Sequence, residues 1–305
     1  MAQSQTTRAI LWLCLGVLVF SMQDIIIKTV SGAYPVHQFI VIRCIAALPF
    51  LLFLVHKAGG LRTIRSPRAG ALILRSGFLL IAYTTYFLAF PVLPLASIVA
   101  LYATVPLFVT ALAGPVLGES ISLTRWAVVI LGFAGALIMI WPDSSVFELA
   151  SLLPIISALA YAGAQVMARK IGISDSAAVM SFYQNLLYLV VASIASAVIT
   201  LFMDSYTGHP SLEFALRSWQ TPGLRDFVLI AACGPIAAIG MTMLGQAYRL
   251  AQANTVTPFE YTGLIWGALW GFLFWSEIPG LNAVLGALLI VMGGLASLYT
   301  AQARK

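Results

Sequence analysis

Apolar residues run in stretches of about twenty along this chain, and polar residues are confined to the breaks between them. The pattern places spans at roughly 9–30, 36–56, 69–90, 95–117, 122–141, 148–169, 177–202, 225–247, 251–275 and 280–300. Each is near the ~20 residues that a helix needs to cross a bilayer. The breaks are short, as expected between antiparallel neighbours. The longest polar connection is about Asp204–Gly223. The expected fold class is an all-α membrane protein with ten transmembrane helices.

The ten spans read as two copies of a five-span unit, residues 9–141 and 148–300, with the seam near Trp141–Glu148. An odd number of spans ends on the opposite side of the bilayer from its start. The second copy is therefore expected upside down relative to the first. Two constant offsets carry the repeat. Early spans align at 141 positions: Phe20 with Tyr161, Asp24 with Gln165, Lys28 with Arg169, Arg43 with Gln184. Later ones align at 158: Phe90 with Tyr248, Ser97 with Thr255, Tyr102 with Glu260, Glu119 with Glu277. The difference of about 17 positions locates an insertion in the second copy, in the loop after Phe202. Inverted repeats are a recurring plan for secondary transporters, with the substrate near the midplane at the repeat interface.

Composition agrees with this picture. The chain has 305 residues, 61% hydrophobic and 9% charged, against about 25% charged in a typical soluble domain. No polar segment is long enough for a large soluble domain. The net charge of +6 comes from basic residues in short loops, which argues for membrane topology and against nucleic acid. Arg8, Lys57, Arg62, Arg65, Arg68, Arg125, Arg169, Lys170, Arg249, Arg304 and Lys305 fall on one side; Arg217 and Arg225 fall on the other. The positive-inside rule then puts both termini in the cytoplasm of a multi-pass bacterial inner-membrane protein. The apolar run after Arg8 resembles a signal peptide without a good cleavage site, and it is read as an uncleaved first span. Cys14, Cys44 and Cys233 lie inside spans as packing residues. His37, His56 and His209 have no metal spacing, so neither metal nor cofactor is expected.

Charges inside the bilayer are the sharpest signal, since each costs at least about 2.5–3.5 kcal/mol at a span centre. Asp24, Lys28, Arg43 and Glu260 are the clear cases, and they sum to zero. Lys28 lies near the outer end of its span, where it is expected to snorkel to the headgroups. Asp24 and Arg43 fall at similar depth on consecutive spans and are expected to pair. Glu260 falls near the middle of span nine, two residues after Pro258, which should kink the helix. It is the candidate proton-coupling carboxylate. Tyr83, Tyr86, Tyr102, Tyr161, Gln165, Gln184, Asn185, Gln246, Tyr261 and Trp270 join Asp24 and Arg43 as candidate substrate-binding residues. Glu119 and Glu277 sit at span ends and read as structural partners of helix dipoles. Glycines in spans five and ten, including Gly132, Gly135, Gly286, Gly293 and Gly294, allow close helix contact, within the chain or in a homodimer.

The chain resembles the drug/metabolite transporter superfamily, in particular its EamA-type ten-span members. The marks are Leu95-Ala96-Ser97 opening span four, Pro106-Leu107-Phe108 within it, Leu117-Gly118-Glu119 after it, and Gly132-Phe133-Ala134-Gly135 in span five. A weaker set in the second copy is Ala251 through Thr255, Ser276-Glu277 and Gly293-Gly294. The resemblance covers nearly the whole chain. It implies a ten-helix bundle around a central cavity, working by alternating access, with spans five and ten away from the cavity. The first half, including Phe20-Ser21-Met22-Gln23-Asp24 and Leu74-Arg75-Ser76, looks most like a subgroup that includes bacterial riboflavin importers and S-adenosylmethionine transporters. Glu260 is a departure, standing where a neutral or small residue is more usual.

The expected activity is secondary transport of a small organic metabolite. Zero net intramembrane charge with aromatic and amide side chains fits a neutral or zwitterionic planar solute. Riboflavin import is the leading expectation; export of amino acids or related metabolites is the alternative. The expected partners are that solute and the lipid bilayer. A membrane-embedded enzyme would need a nucleophile–base pair or a metal motif, and the sequence contains no HExxH and no paired carboxylate. A channel would favour repeated polar rings. No P-loop is present to use ATP.

Overall fold

The structure, a computed structural model, describes residues 2–117, 127, 130–131, 134–135, 138, 149–171, 175–202, 208–251 and 256–302. Most of span five, with Gly132, lies outside the described residues, as do Glu119, Thr255, the seam at 141–148 and the side-chain surroundings of Gly293 and Gly294. The proposed dimer contact therefore also lies largely outside them. Among the described residues every regular element is helical. These are α1 (Ala2–Val30), α2 (Val36–Gly59), α3 (Ala69–Leu88), α4 (Leu95–Tyr102), α5 (Val105–Leu117), α6 (Leu152–Ile171), α7 (Ala177–Phe202), α8 (Pro210–Leu216), α9 (Leu224–Leu250), α10 (Thr262–Trp275) and α11 (Leu281–Gln302). Short 3-10 turns occupy Leu61–Ile64, Leu149–Ser151 and Thr257–Tyr261.

Seven helical stretches among these residues are long and apolar enough to cross a membrane. Their surfaces invert the soluble pattern. Ile194, Leu201 and Phe202 are exposed, while Gln38, Arg43, Ser76, Thr104 and Asn185 are fully buried. Exposed aliphatic and aromatic side chains over whole helix faces are stable against lipid tails and not against water. The polar groups, which hydrocarbon would leave unpaired, turn inward.

Two proline-containing spans are interrupted near their prolines. Span four is broken, with α4 ending at Tyr102 and α5 beginning at Val105. Pro106 is the second residue of α5, where its missing amide costs no helix bond. Pro258 likewise stands near the start of the Thr257–Tyr261 3-10 turn, which separates the helical Val256 from α10, so the α-helix is interrupted at the proline as expected. Glu260 consequently lies near the beginning of the described part of span nine. Thr104 Oγ1 donates to the Leu101 carbonyl (2.8 Å), and Thr262 Oγ1 to the Phe259 carbonyl (2.7 Å), so a hydroxyl takes up a carbonyl at each junction.

The bundle is assembled by a few extensive contacts. α1 packs along α9, α3 along α6, and α2 against both α7 and α9. α10 lies against α4 and α1, and α11 meets mainly α4 and the last 3-10 turn. Gly267 lets α10 approach α4 closely: a Cβ there would stand 2.8 Å from Val99. The long connection is folded over the α1–α2 end of the bundle. Gln38 and Gln220 exchange two hydrogen bonds (2.6 and 2.9 Å), Arg217 donates to the Gly32 carbonyl (2.8 Å), and Phe214 is buried.

Candidate functional site

A cavity of about 90 Å³ lies where α1, α3, α4, α6, α9 and the start of span nine converge. Its wall includes Asp24 from α1, Tyr83 and Tyr86 from α3, Tyr102 from α4, Tyr161 from α6 and Glu260 from the Thr257–Tyr261 turn. Six residues singled out from sequence thus meet in one place. They do so because the breaks in spans four and nine bring Tyr102 and Glu260 to the bundle centre. The volume is below the ~300–1,000 Å³ of sites for drug-sized ligands, so a metabolite requires the walls to part.

The two carboxylates are held by tyrosines. The Tyr86 hydroxyl donates to Asp24 Oδ2 (3.3 Å), and the Tyr248 hydroxyl donates to Glu260 Oε1. Tyr161 also faces Glu260. Among the described residues no basic nitrogen lies within 4.0 Å of either acid. A partly buried carboxylate with only neutral donors around it has incomplete charge compensation. A proton, a cationic group or a substrate donor would complete it. The rings are mutually stacked or edge-on: Tyr86 and Tyr102 centroids lie 5.0 Å apart, and Tyr102 and Tyr161 centroids 5.6 Å apart.

The expected Asp24–Arg43 pair does not form. Arg43 Nη1 donates instead to Gln23 Oε1 (3.2 Å), and its guanidinium lies over Tyr188 (5.2 Å) and Phe87 (5.9 Å). Adjacent helical positions differ by about 100°, so α1 turns Gln23 toward α2 and Asp24 toward α3. Arg43 sits behind the cavity wall. Asn185 donates to the Cys44 carbonyl (3.0 Å) and ties α7 to α2. Trp270 donates to Ser21 Oγ (2.9 Å) and ties α10 to α1. Gln246 accepts from Arg249 outside the cavity (3.3 Å). Tyr261 packs beside Ala103, off the wall. Gln165 and Gln184 are buried but do not line the cavity.

Lys28 does not snorkel. Its ammonium pairs with the Glu277 carboxylate, donates to the Leu93 carbonyl (3.3 Å) and stands 5.1 Å from the centroid of the Trp275 ring. The other Glu277 oxygen accepts the Leu95 amide (2.8 Å), at the start of α4. This acid therefore serves the N-terminus of a helix far away in sequence, and it locks the ends of α1, α4 and α10 together. Glu277→Ala strands a partly buried ammonium and a backbone amide, so it should lower stability by about 1–3 kcal/mol. Lys28→Met/Glu277→Met should recover part of that loss. A thermal melt of the purified variants tests both, and no drop for Glu277→Ala would show that the lock contributes nothing.

Sequence reasoning missed three kinds of residue. Phe20, Ser21 and Gln23 line the cavity from α1 beside Asp24. Tyr248 holds Glu260, and its only sequence signal was its repeat match to Phe90. Arg75, within the Leu74-Arg75-Ser76 segment, is fully inside the bundle and 4% exposed. It lies inside span three, 69–90, but is absent from the intramembrane charges singled out along the chain.

Comparison with known proteins agrees with this geometry. Residues 7–141 match the model of the EamA-like transporter family. A riboflavin transporter of Vibrio cholerae serotype O1 is 32% identical over 255 residues, 82% of this chain and 77% of that protein. An S-adenosylmethionine uptake transporter of Rickettsia prowazekii is 24% identical, covering 95% and 92%. A pseudopaline exporter of Pseudomonas aeruginosa is 26% identical, covering 92% and 93%. A solved crystal structure aligns over 98% of this chain and 99% of its own, with a TM-score of 0.65 and 15% identity, a likeness of fold.

Proposed function

The chain belongs to the EamA-like transporter family, and from that membership we propose that it imports riboflavin across the bacterial inner membrane by alternating access between two inverted five-span repeats, 9–141 and 148–300. The transporter class follows from the family and its relatives, which are transporters and not enzymes. The repeat, the substrate and the direction are the proposal.

The observation that carries the mechanism is the matched pair of helix breaks. Thr104 and Thr262 are 158 positions apart and make the same bond to a carbonyl three residues earlier. The residues just before them, Tyr102 and Glu260, share the cavity wall. Phe20 with Tyr161 and Tyr86 with Leu244 are further pairs at the repeat offsets on that wall. Contacts also exchange as the repeat requires: α1 on α9 corresponds to α6 on α3. Discontinuous helices at a repeat interface supply half-helix ends around a mid-membrane site. With both termini in the cytoplasm, Asp24 faces the outer half and Glu260 the inner half of the path.

Four tyrosines provide stacking faces for a tricyclic ring, and the two carboxylates accept from ribityl hydroxyls or a coupled proton. The 32% identity to a riboflavin transporter supports this solute. The similarity to a pseudopaline exporter favours export, the direction of the second reading, in which the solute is an amino acid or related metabolite. Labelled riboflavin counterflow in proteoliposomes separates them, with amino acids as competitors. Riboflavin exchange that unlabelled flavin alone abolishes is the expected result. Absence of any flavin exchange would remove riboflavin and leave the transporter class.

A further inference from the structure

Behind the tyrosine wall is a second polar cluster that contacts among the described residues satisfy only in part. Arg75 Nε, Gln165 Oε1 and Gln184 Nε2 are all cut off from solvent and have no hydrogen-bond partner among the described residues. The three residues are 4%, 2% and 2% exposed. Among the described residues no carboxylate lies within 4.0 Å of the Arg75 guanidinium. Its neighbours are the cavity-wall rings Tyr83 and Tyr161, both close enough to interact with it electrostatically.

Helix register brings the cluster together. Ser157 Oγ on α6 donates to the Ala82 carbonyl on α3 (2.6 Å), and Gly163 faces the Phe78 ring, 3.5 Å from where its Cβ would be. In these antiparallel helices that register carries Gln165 to the level of Arg75. Gln184, from α7, approaches the Tyr83 hydroxyl. Buried polar groups in native structures are almost always paired. A buried arginine serving only to hold helices would be expected to grip a carboxylate or a carbonyl, as Arg217 does elsewhere in this chain.

We infer that Arg75, with Gln165 and Gln184, is a second ligand subsite in the transport path, for a planar group carrying two acceptor oxygens. The inference rests on the transporter reading and deepens it. Arginine presents a planar fork of donors suited to two parallel oxygens. The adjacent glutamine oxygen accepts one proton from the same edge. A carboxylate matches the fork with both oxygens, and an imide edge (C=O, N–H, C=O) offers one carbonyl to the guanidinium and its N–H to the glutamine oxygen. Tyr83 and Tyr161 separate this subsite from the Asp24–Glu260 cavity, so the ligand reaches it when those rings move apart.

Binding to purified full-length protein tests the subsite with two matched pairs of probes. One pair is riboflavin and N3-methylriboflavin, which lacks the imide proton. The other is S-adenosylmethionine and its carboxyl methyl ester. In the wild type, at least one pair should differ in Kd by about tenfold or more. Arg75→Gln should bring the preferred member down to the level of its blocked partner and leave the partner unchanged. Its melting midpoint should equal or exceed that of the wild type, because the variant removes an unpaired buried cation. A difference confined to the S-adenosylmethionine pair would support the subsite and reject riboflavin as its ligand. The subsite is overturned if the wild type discriminates within neither pair, or if Arg75→Gln discriminates as well as the wild type.

Discussion

Glu260→Gln is expected to abolish substrate accumulation driven by a pH gradient, with the initial rate falling about tenfold to a hundredfold. Glutamine keeps the shape of the side chain and can still accept from Tyr248. It cannot take up and release a proton, and it cannot supply the charge that makes a carboxylate a strong acceptor. Exchange of substrate at equal concentrations on both sides needs no net proton movement and should survive at a measurable rate. The assay is paired: gradient-driven uptake and counterflow in the same proteoliposomes. Loss of the first with retention of the second assigns Glu260 to coupling. Loss of both assigns it to substrate binding. Wild-type accumulation would remove it from either role. The geometry behind the expectation is specific. Glu260 lies at the broken start of span nine, on the cavity wall, with tyrosine donors and no cation within ion-pair distance among the described residues.

Gly234→Val is expected to prevent recovery of a monodisperse folded protein. Gly234 lies in α9 where that helix crosses α2, and a Cβ would fall 2.6 Å from the Ala46 carbonyl carbon and 2.6 Å from the Ala47 nitrogen. Those are backbone atoms inside a helix, so no side-chain rotation relieves the clash. The helices would have to separate along a contact that also sets α9 against α1. Alanine alone should cost about 1–3 kcal/mol, the range for inserting a methyl group into a packed interior, and valine more. Gly77→Ala is the matched control. Nothing lies within 4 Å of its added Cβ, so a neutral or slightly raised melting midpoint is expected from helix propensity. Size-exclusion profiles and thermal melts of the three variants suffice. A Gly234→Ala protein that melts with the wild type would mean that α2 and α9 can separate at no cost.

Much of the fold was legible along the chain. Runs of about twenty apolar residues located α2, α3, α6, α7 and α9 and the end of α1 to within a few residues, because burial in lipid requires that local pattern. The later helix α10 was located together with the interruption at Pro258, but which way the interrupted segment faces was not, since only the neighbouring helices decide it. Six candidate residues, Asp24, Tyr83, Tyr86, Tyr102, Tyr161 and Glu260, do line one cavity. Their chemistry was legible because polar and ionisable side chains inside an apolar run are costly wherever they point.

Pairing was not legible. Asp24 and Arg43 had matching depth and opposite charge, yet one helical position of azimuth gave Arg43 to Gln23. Lys28 found Glu277 across 249 positions of sequence, and the burial of Arg75 at 4% exposure follows only from the helices packed around it. The sequence by itself determined that the chain is built of long apolar helices and which side chains cannot face lipid, because hydrophobicity and charge are properties of each segment alone. The tertiary structure decided which of those side chains share a cavity, which neutralise one another and which are left waiting for a ligand. Those outcomes depend on the register and rotation of helices far apart in the chain, and only their packing fixes both.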